Sequence, residues 1–416
     1  MNIYPKVFKS HMTAKVNFEI TASETDRVEV KIQSMEEYSI NHTPKYRIDE
    51  ENRYPYASPT KVSDNLYSLD YDFLQEQRYS VRVKVNGTVI AYDNLYAVDE
   101  DLFSLTPYKG DTHLHTCRSD GEDTPFQVCC SYREKGYDFI AITDHHKYAP
   151  SIEGRTEISA LTKAFTVFPG EEVHNKDMGY FHIVNFNGSR SVNEIIETDD
   201  EFVESELERI MEERNFTSAD PKTLAYRVFI SEQIRSSGGL AILTHPFWDV
   251  FGEYHTPLSD CIYHIKNGDF DALEVFAGCG DTKNYGNNLQ VALWTELISE
   301  GYRIPVLGAS DSHSRTNERS LFNKQYSIVF APTPEQIPHA VKNDYSVAVL
   351  AQADSKYFCV GKFRLVKYAR FLLDEYFAPY ANLTALHAKA LASKSESEIN
   401  ATEKTLAKFY NQFFGK

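Results

Sequence analysis

Residues 110–116 read Gly-Asp-Thr-His-Leu-His-Thr. Residues two apart on a β-strand point to the same face, so His113 and His115 can direct two imidazoles toward one metal ion. An isolated pair of this kind is also typical of unrelated surface histidines. Whether the pair marks a metal site therefore depends on what the rest of the chain places beside it.

Several short apolar segments downstream are predicted to be strands, and most of them end in a residue that can bind a metal ion. Examples are the segments 138–143 (DFIAIT), 240–244 (LAILT) and 304–309 (IPVLGA). Parallel α/β barrels and sheets place their active sites at the carboxyl ends of their strands. The pattern therefore predicts one metal site with the following ligands: His113, His115, Asp120, His145, Glu172, His182, His245, Asp311 and His313.

The types of ligand indicate the class of ion. Imidazoles and carboxylates without cysteine suit Zn, Mn or Fe better than a structural thiolate site. The set of six histidines and three carboxylates exceeds what one ion can use, so we expect two or three divalent metal ions. Glu172 can bridge two ions at the roughly 3.5–4 Å separation of multinuclear hydrolases, with a bridging hydroxide as the nucleophile.

Together these segments resemble the polymerase-and-histidinol-phosphatase (PHP) superfamily. The resemblance rests on residues 110–116, Thr143–His145, Gly170–Glu172, His245-Pro246 and Asp311–His313, and it covers about residues 107–330. It implies a distorted seven-stranded β/α barrel and a trinuclear metal centre. The layout is similar to the branch that includes carbamate-ester hydrolases, and no polymerase portion is present, which argues against a role in replication.

The resemblance also implies how the ligands are divided. His113, His115 and His313 would serve a first ion, Asp120 and His145 a second, and His182 and His245 a third, with Glu172 and Asp311 between neighbouring ions. The family often has histidine where this chain has Asp120, and this hard oxygen ligand leaves the identity of the ion open.

Residues near the ligands are expected to have supporting roles. Glu172 and Asp311 are expected to take part in catalysis, and Arg118 and Arg315 to bind a phosphate oxygen, although loop cations are often simply solvated. Glu171 is expected to point away from the site, and Glu274 to orient a ligand. His146 and His174 are expected to be solvated or packed. Asp111 and Asp144 are expected either to orient imidazoles or to form turns.

The predicted fold class is α/β. The barrel is expected at residues 106–355, preceded by a small all-β sandwich at 1–105 and followed by a helical extension at 356–416. Alternating polar and apolar residues, with a hairpin turn at Asn86-Gly87, predict the sandwich. Residues 41–60 are expected to form a long loop.

Composition limits the choice of partner. The chain has 43 Lys plus Arg against 60 Asp plus Glu, a net charge of −17, which argues against general binding to nucleic-acid polymers or anionic membranes. No secretory signal and no spanning segment of ~20 apolar residues is visible. Six cysteines without a CxxC pair indicate reduced thiols and a cytoplasmic location.

Three hypotheses for the function remain at this stage. The first is hydrolysis of a small-molecule phosphoester, and the second is hydrolysis of a carbamate or carboxylic ester by the same metal site. The third is a metal-stabilised binding module. The oligomeric state is not predicted.

Overall fold

The computed structural model describes residues 2–36, 55–174, 182–214, 216, 220–250, 252–277, 285–316, 320–352 and 356–416. Most of the loop predicted at residues 41–60 lies outside this range. Contacts divide the chain into two units, of which the first comprises Met1–Leu105, Arg370–Tyr380 and Lys404–Lys416 and the second Thr106–Ala369 and Ala381–Glu403. The three-domain division of the sequence stays a prediction.

The first unit is built mainly from strands. Its elements outside the C-terminal helices are β1 (Asn2–Tyr4), β2 (Val7–Lys9), β3 (Met12–Glu19), β4 (Val28–Ser34), β5 (Thr60–Ser63), β6 (Leu66–Phe73), β7 (Gln77–Val85), β8 (Thr88–Val98) and α1 (Glu100–Phe103). They form two four-stranded sheets, in the orders β1-β3-β6-β5 and β2-β8-β7-β4. Asn86 and Gly87 both have positive φ in the turn between β7 and β8, which confirms the predicted hairpin.

Both sheets of this unit contribute to one apolar core. Phe18 of β3 and Phe73 of β6 belong to it, together with Val30 of β4 and Val81 of β7 from the other sheet. Phe8 stacks on Phe73 with ring centroids 4.3 Å apart. Alternation of buried and exposed residues along these strands produces this core, because successive side chains point to opposite faces.

The second unit alternates strands and helices. Its elements before the C-terminal helices are β9 (Thr106–Asp111), α2 (Pro125–Glu134), β10 (Phe139–Ala141), α3 (Ala149–Ser159), β11 (Thr166–Phe168), β12 (Gly170–Val173), β13 (Ile183–Phe186), α4 (Val192–Thr198), α5 (Asp200–Arg214), α6 (Pro221–Ser236), β14 (Leu240–Leu243), β15 (Asp249–Val250), β16 (Glu253–Tyr254), α7 (Leu258–Asn267), β17 (Ala272–Phe276), α8 (Tyr285–Ser299), β18 (Val306–Gly308), β19 (Gln325–Ala331), α9 (Ile337–Lys342), β20 (Ser346–Ala351) and β21 (Tyr357–Val360). The helices α10 (Phe363–Leu372), α11 (Ala378–Ser393) and α12 (Glu396–Phe414) follow, with a π-helical turn at Leu373–Phe377. The predicted mixed α/β architecture is confirmed.

Two larger sheets position the site in this unit. One has the order β11-β10-β9-β19-β20-β21 and the other β12-β13-β14-β17-β18. The pairs β9–β10, β10–β11, β14–β17 and β17–β18 are parallel. Both β14 and β17 are buried along their whole length, as expected for strands covered on both faces.

Isolated bridges near the carboxyl ends of the strands join the two sheets on the side of the ligands. Leu114 pairs with Ser312, and His145 pairs with Glu172, each in the parallel sense. No closed barrel is found among the strands that the structure describes, and the seven-stranded barrel stays a prediction. Each bridge contains or adjoins residues predicted as ligands, so the junction of the sheets coincides with the site.

Residues at its own N-terminus fix where helix α2 begins. Thr124 and Gln127 form a capping box, in which the threonine side chain accepts from Gln127 N and the glutamine side chain accepts from Thr124 N. Pro125 occupies the first turn, where its missing N–H costs nothing.

Among the residues described, no helix is both long and apolar enough to cross a membrane.

Gly110 is required by close packing between neighbouring strands. A Cβ atom at this position would lie 2.1 Å from the ring of Phe139, which is fully buried and cannot move aside. We therefore expect Gly110→Ala to lower the free energy of unfolding by about 1–3 kcal/mol. Phe139→Leu in the same chain should recover part of that loss, and urea denaturation of the single and double variants measures the coupling. Strictly additive losses would contradict this account.

Candidate metal centre

The residues predicted as ligands meet at one edge of the second unit. All of them fall into groups of metal-capable side chains whose donor atoms lie within 4.8 Å of one another. The groups are His115, Asp120, His145 and His313; His145, Glu172, His174 and His182; His182, His245 and His255; His113, His115 and Asp311; and His113, Glu172 and His245. The described part of the chain thus brings together every predicted ligand and adds His174 and His255.

Strand direction explains why these residues converge. His113, His145, His245 and Asp311 follow the carboxyl ends of β9, β10, β14 and β18. His182 precedes β13, but β13 is antiparallel to its neighbours, so its start lies at the same edge. Five strands from different parts of the sequence therefore deliver ligands to one place.

Glu172 lies at the centre of the cluster and is fully buried. Its Oε1 is 2.7 Å from His182 Nδ1, 3.3 Å from His113 Nε2 and 3.5 Å from His245 Nε2. One carboxylate oxygen thus faces three imidazoles.

The second oxygen of Glu172 faces a different set of rings. Its Oε2 is 2.7 Å from His145 Nδ1, 3.5 Å from His115 Nε2 and 3.8 Å from His174 Nε2. Because each oxygen has its own group of imidazoles, the carboxylate is placed to bridge two ions.

Many buried polar atoms here face one another without hydrogen bonds. Within the described residues, no hydrogen-bond partner is found for Glu172 Oε1 and Oε2, His113 Nε2, His115 Nδ1, His182 Nδ1, or either ring nitrogen of His245 and His255. An unpaired buried polar atom costs about 1–3 kcal/mol. Cations placed between the carboxylate and the imidazoles would satisfy these atoms, so the donor set fits divalent metal ions.

Two aspartates complete the cluster on its more open side. Asp311 Oδ1 is 2.9 Å from His115 Nε2 and 3.3 Å from His113 Nε2. Asp120 Oδ2 is 3.2 Å from His313 Nε2 and 3.6 Å from His145 Nε2. The Asp120 side chain is 54% exposed, whereas that of Glu172 is 0% exposed, so the cluster runs from solvent into the core.

Burial sets the protonation of several imidazoles. It lowers the pKa of His115 to about 3 and that of His182 to about 4. Burial also acts to raise the pKa of Glu172, but His182 and His113 hold that pKa well below its usual value. Neutral imidazoles beside an ionised carboxylate are the forms that bind a metal ion.

The backbone is strained at the ligands. His245, Asp311 and His146 have positive φ angles of 21°, 48° and 57°. Non-glycine residues seldom adopt this conformation, which costs of order 1–3 kcal/mol each and is concentrated at functional sites. All three residues with left-handed backbone follow the carboxyl end of a strand.

Three carboxylates hold the ligand-bearing segments in place. Glu274 Oε1 is 3.0 Å from His113 Nδ1, and its Oε2 accepts a hydrogen bond from His245 N. This contact agrees with the orienting role expected for Glu274. Asp111 accepts from His113 N and Ser310 N, so it fixes backbone rather than an imidazole.

Asp144 acts in the same way as Asp111. Its carboxylate accepts hydrogen bonds from Thr116 N at 2.8 Å, from the Thr116 hydroxyl and from Ser119 N. Both aspartates therefore brace the loops that carry ligands.

Glu171 points to the opposite side of β12 from Glu172. Its carboxylate accepts hydrogen bonds from Asn185 Nδ2, Ser191 Oγ, Val192 N and Asn193 Nδ2. The sequence predicted this orientation from the alternation of side chains along a strand.

The two arginines expected to bind phosphate are engaged in ion pairs. Arg118 makes a two-pronged contact with Glu153, and Arg315 pairs with Asp123 at 3.0 Å and donates to Ser131 Oγ. Among the described residues, neither guanidinium contacts a ligand. Their catalytic role stays a prediction.

Sequence reasoning passed over His255 and gave His174 a packing role. The sequence signal for His255 is its position ten residues after His245, in a loop that follows a ligand-bearing strand. His174 lies two residues after Glu172, and its Nε2 is 2.8 Å from His145 Nδ1.

Comparison with curated proteins found a short stretch of sequence similarity. No family model matches the chain. A stretch of 82 residues, 18% of the chain, is 34% identical to the DNA polymerase/3'-5' exonuclease PolX of Bacillus subtilis and spans 14% of that protein.

Solved structures give a similar result. A two-domain protein from Bacteroides vulgatus, which contains a predicted PHP-like metal-dependent phosphoesterase, is 17% identical with a TM-score of 0.42; the match covers 59% of this chain and 65% of that one. A proposed metal-dependent phosphoesterase from Bifidobacterium adolescentis is 20% identical, with a TM-score of 0.35 and coverage of 50% and 89%. An amidohydrolase from Chromobacterium violaceum is 16% identical, with a TM-score of 0.35 and coverage of 50% and 88%.

PHP-like proteins are thus among the structures similar to this chain, as the sequence resemblance predicted. Identities below 25% and TM-scores below 0.5 leave the function to be argued from the chain's own site. Membership of the carbamate-ester branch stays a prediction.

Glu171 and Glu172 form a matched pair, because they are adjacent, chemically identical and both buried. We expect Glu172→Gln to bind fewer metal ions, since it removes the charge that faces both groups of imidazoles. We expect Glu171→Gln to keep its metal but to unfold about 1–3 kcal/mol more easily, because it loses charge-assisted hydrogen bonds. Elemental analysis after dialysis gives metal content, and urea unfolding in chelator gives stability. Full metal content in Glu172→Gln would contradict its central position.

Glu274 offers a second test of the site. We expect Glu274→Ala to weaken metal binding by about 10–100-fold, because the imidazole of His113 loses the partner that orients it. Glu274→Gln retains an acceptor oxygen and should restore most of the affinity. Competition with a chromogenic chelator measures both variants, and equal weakening by Ala and Gln would argue against an orienting role.

Proposed function

We propose that the protein is a metal-dependent hydrolase that cleaves a phosphoester. The observation that carries the proposal is Glu172, a buried carboxylate whose two oxygens face separate groups of imidazoles. A structural metal site is usually closed and mononuclear. A cluster that extends from the core to the exposed Asp120 has more ligands than such a site needs, which also argues against the binding-module hypothesis.

The charge of the centre favours an anionic substrate. The predicted ligands include three carboxylates, those of Asp120, Glu172 and Asp311. With a bound hydroxide they carry four negative charges, which two divalent ions would balance and three would exceed. With three ions the loaded centre would be a positive site in a chain whose net charge is −17. Local fields of this kind concentrate substrates of opposite sign, such as phosphoesters.

The chain's own residues would position the reaction. Bound divalent ions supply Lewis acidity and an acidified water molecule. Glu172 and Asp311 would occupy the shared positions in the cluster, and buried His115 and His182, whose pKa values are lowered by burial, would present nitrogen lone pairs. Arg118 and Arg315 would have to leave Glu153 and Asp123 to reach a phosphate oxygen.

We also infer that the strands around the centre follow the order of a distorted barrel. β12, β13, β14, β17 and β18 form one sheet, and β9 and β10 pair in the other. The bridges His145–Glu172 and Leu114–Ser312 support this order, since they join the two ends of this series. Seven strands would then surround the ligands.

A carbamate or carboxylic ester is the second candidate substrate. The ion pairs of Arg118 and Arg315 favour it, because Glu153 and Asp123 already neutralise the two guanidinium groups. The choice of Mn, Fe or Zn, the small-molecule nature of the substrate and the cytoplasmic location also stay predictions.

A panel of p-nitrophenyl substrates tests the proposal. Protein loaded with Mn, Fe or Zn would be assayed with a phosphomonoester, a phosphodiester, a carboxylic ester and a carbamate. The phosphodiester is included because the similar PolX protein is described as an exonuclease. We expect phosphoester turnover to fall about 100-fold or more in Asp311→Asn, the scale of losing a charge-stabilising group.

The matched control is His264→Ala. His264 is fully buried like His113, but its Nδ1 is 2.8 Å from Asp269 and it belongs to no metal-capable group among the described residues. Turnover should survive this substitution. Ester or carbamate turnover alone would replace the proposal with the second candidate, and turnover that persists in Asp311→Asn would show that another site is responsible.

A further inference from the structure

His255 lies beside the metal centre through a local turn of the chain. After His245, the strands β15 and β16 form a two-stranded hairpin that reverses the chain. His255 N donates to Trp248 O at 2.8 Å, and Thr256 N donates to Pro246 O at 2.9 Å. These bonds fix His255 next to His245, with ring centroids 5.0 Å apart.

The imidazole of His255 is buried, and no hydrogen bond to it is found in the described part of the chain. The residue is 7% exposed, and neither ring nitrogen makes a hydrogen bond to any of the described residues. Its ring centroid is 4.6 Å from that of His182. Donor atoms of His182, His245 and His255 all lie within 4.8 Å of one another.

Other buried histidines of this unit show what a packed imidazole does when it has no ligand role. His264 Nδ1 lies 2.8 Å from Asp269, and His387 Nδ1 accepts from Arg133 Nε at 3.0 Å. Each pairs one ring nitrogen, Nδ1, with a polar side chain, while no hydrogen-bond partner is found for its Nε2 among the described residues. His255 differs because neither of its ring nitrogens is paired in the described structure, at a place where two other imidazoles converge on it.

We propose that His255 is a metal ligand, which completes a three-imidazole site with His182 and His245. Glu172 Oε1, 2.7 Å from His182 Nδ1 and 3.5 Å from His245 Nε2, is placed to share the same ion. Three imidazoles and a carboxylate are a donor set that suits Zn or Fe.

We call the site formed by His182, His245 and His255 the inner site, and the side of the cluster near Asp120 and His313 the outer site. The ligand set of the inner site would make it different from the outer site. Four protein ligands fill a tetrahedral zinc ion and leave no position for solvent. The inner ion would then hold the cluster together and contribute charge, while the side near Asp120 and His313 receives the substrate. The inference rests on the metal centre and does not depend on which ester is cleaved.

Cobalt spectroscopy of His255→Cys tests the assignment directly. A thiolate bound to Co²⁺ gives a sulfur-to-cobalt charge-transfer band in the near ultraviolet, whereas imidazole ligands do not. We expect this band in cobalt-loaded His255→Cys, and we expect it to be missing from the unsubstituted protein and from His264→Cys. The last variant controls for a new buried thiol away from the cluster.

His255→Ala gives an independent readout of affinity. We expect one ion per chain to bind at least 10-fold more weakly, measured by competition with a chromogenic chelator, while the other ions bind as before. Thermal unfolding in chelator separates this loss from a folding defect, and His264→Ala is the matched control. If His255→Cys does not fold, the affinity of His255→Ala decides the question alone.

Two results would overturn the proposal. One is a folded His255→Cys variant that binds the full number of cobalt ions without the charge-transfer band. The other is unchanged metal affinity in His255→Ala, which, if turnover fell, would instead make His255 a group that contacts the substrate. Neither readout requires hydrolytic activity, so failure of the proposed function would be seen separately.

Discussion

The constraint on which the rest of the site depends is the burial of the Glu172 carboxylate. An ionised group removed from water is very costly unless opposite charge or hydrogen bonds compensate it. Imidazole nitrogens surround this one without hydrogen-bond geometry in the described structure. The fold therefore brings together a carboxylate and imidazoles whose unpaired atoms would be satisfied by cations placed between them.

Such an arrangement requires many strand ends to meet, and the two sheets of the second unit bring them together. Two sheets approach each other through single bridges at Leu114–Ser312 and His145–Glu172, and the ligands lie at these junctions. The regular ladders end near these junctions, and the backbone is left-handed at His245 and Asp311, just after β14 and β18.

Sequence reasoning succeeded where the signal is local. The spacing of His113 and His115 and the position of ligands after apolar segments predicted the cluster, and strand alternation separated Glu171 from Glu172. It missed His255, because its approach to His182 depends on a hairpin and on long-range packing. It could not anticipate that Glu153, 35 positions from Arg118, forms an ion pair with the Arg118 guanidinium. The bridges between the sheets also depend on contacts between distant segments, which periodicity does not encode.

The gradient of exposure from Asp120 to Glu172 has a consequence for how the protein would be handled. An ion near Asp120 and His313 would exchange quickly with buffer, because solvent reaches both side chains. An ion between Glu172 and His245 would exchange only when the fold opens, since neither side chain is accessible. The metal composition of a purified sample would then have two origins. The ion between Glu172 and His245 would be the one bound in the cell in which the chain folded, and the ion near Asp120 and His313 would be the one supplied by the last dialysis.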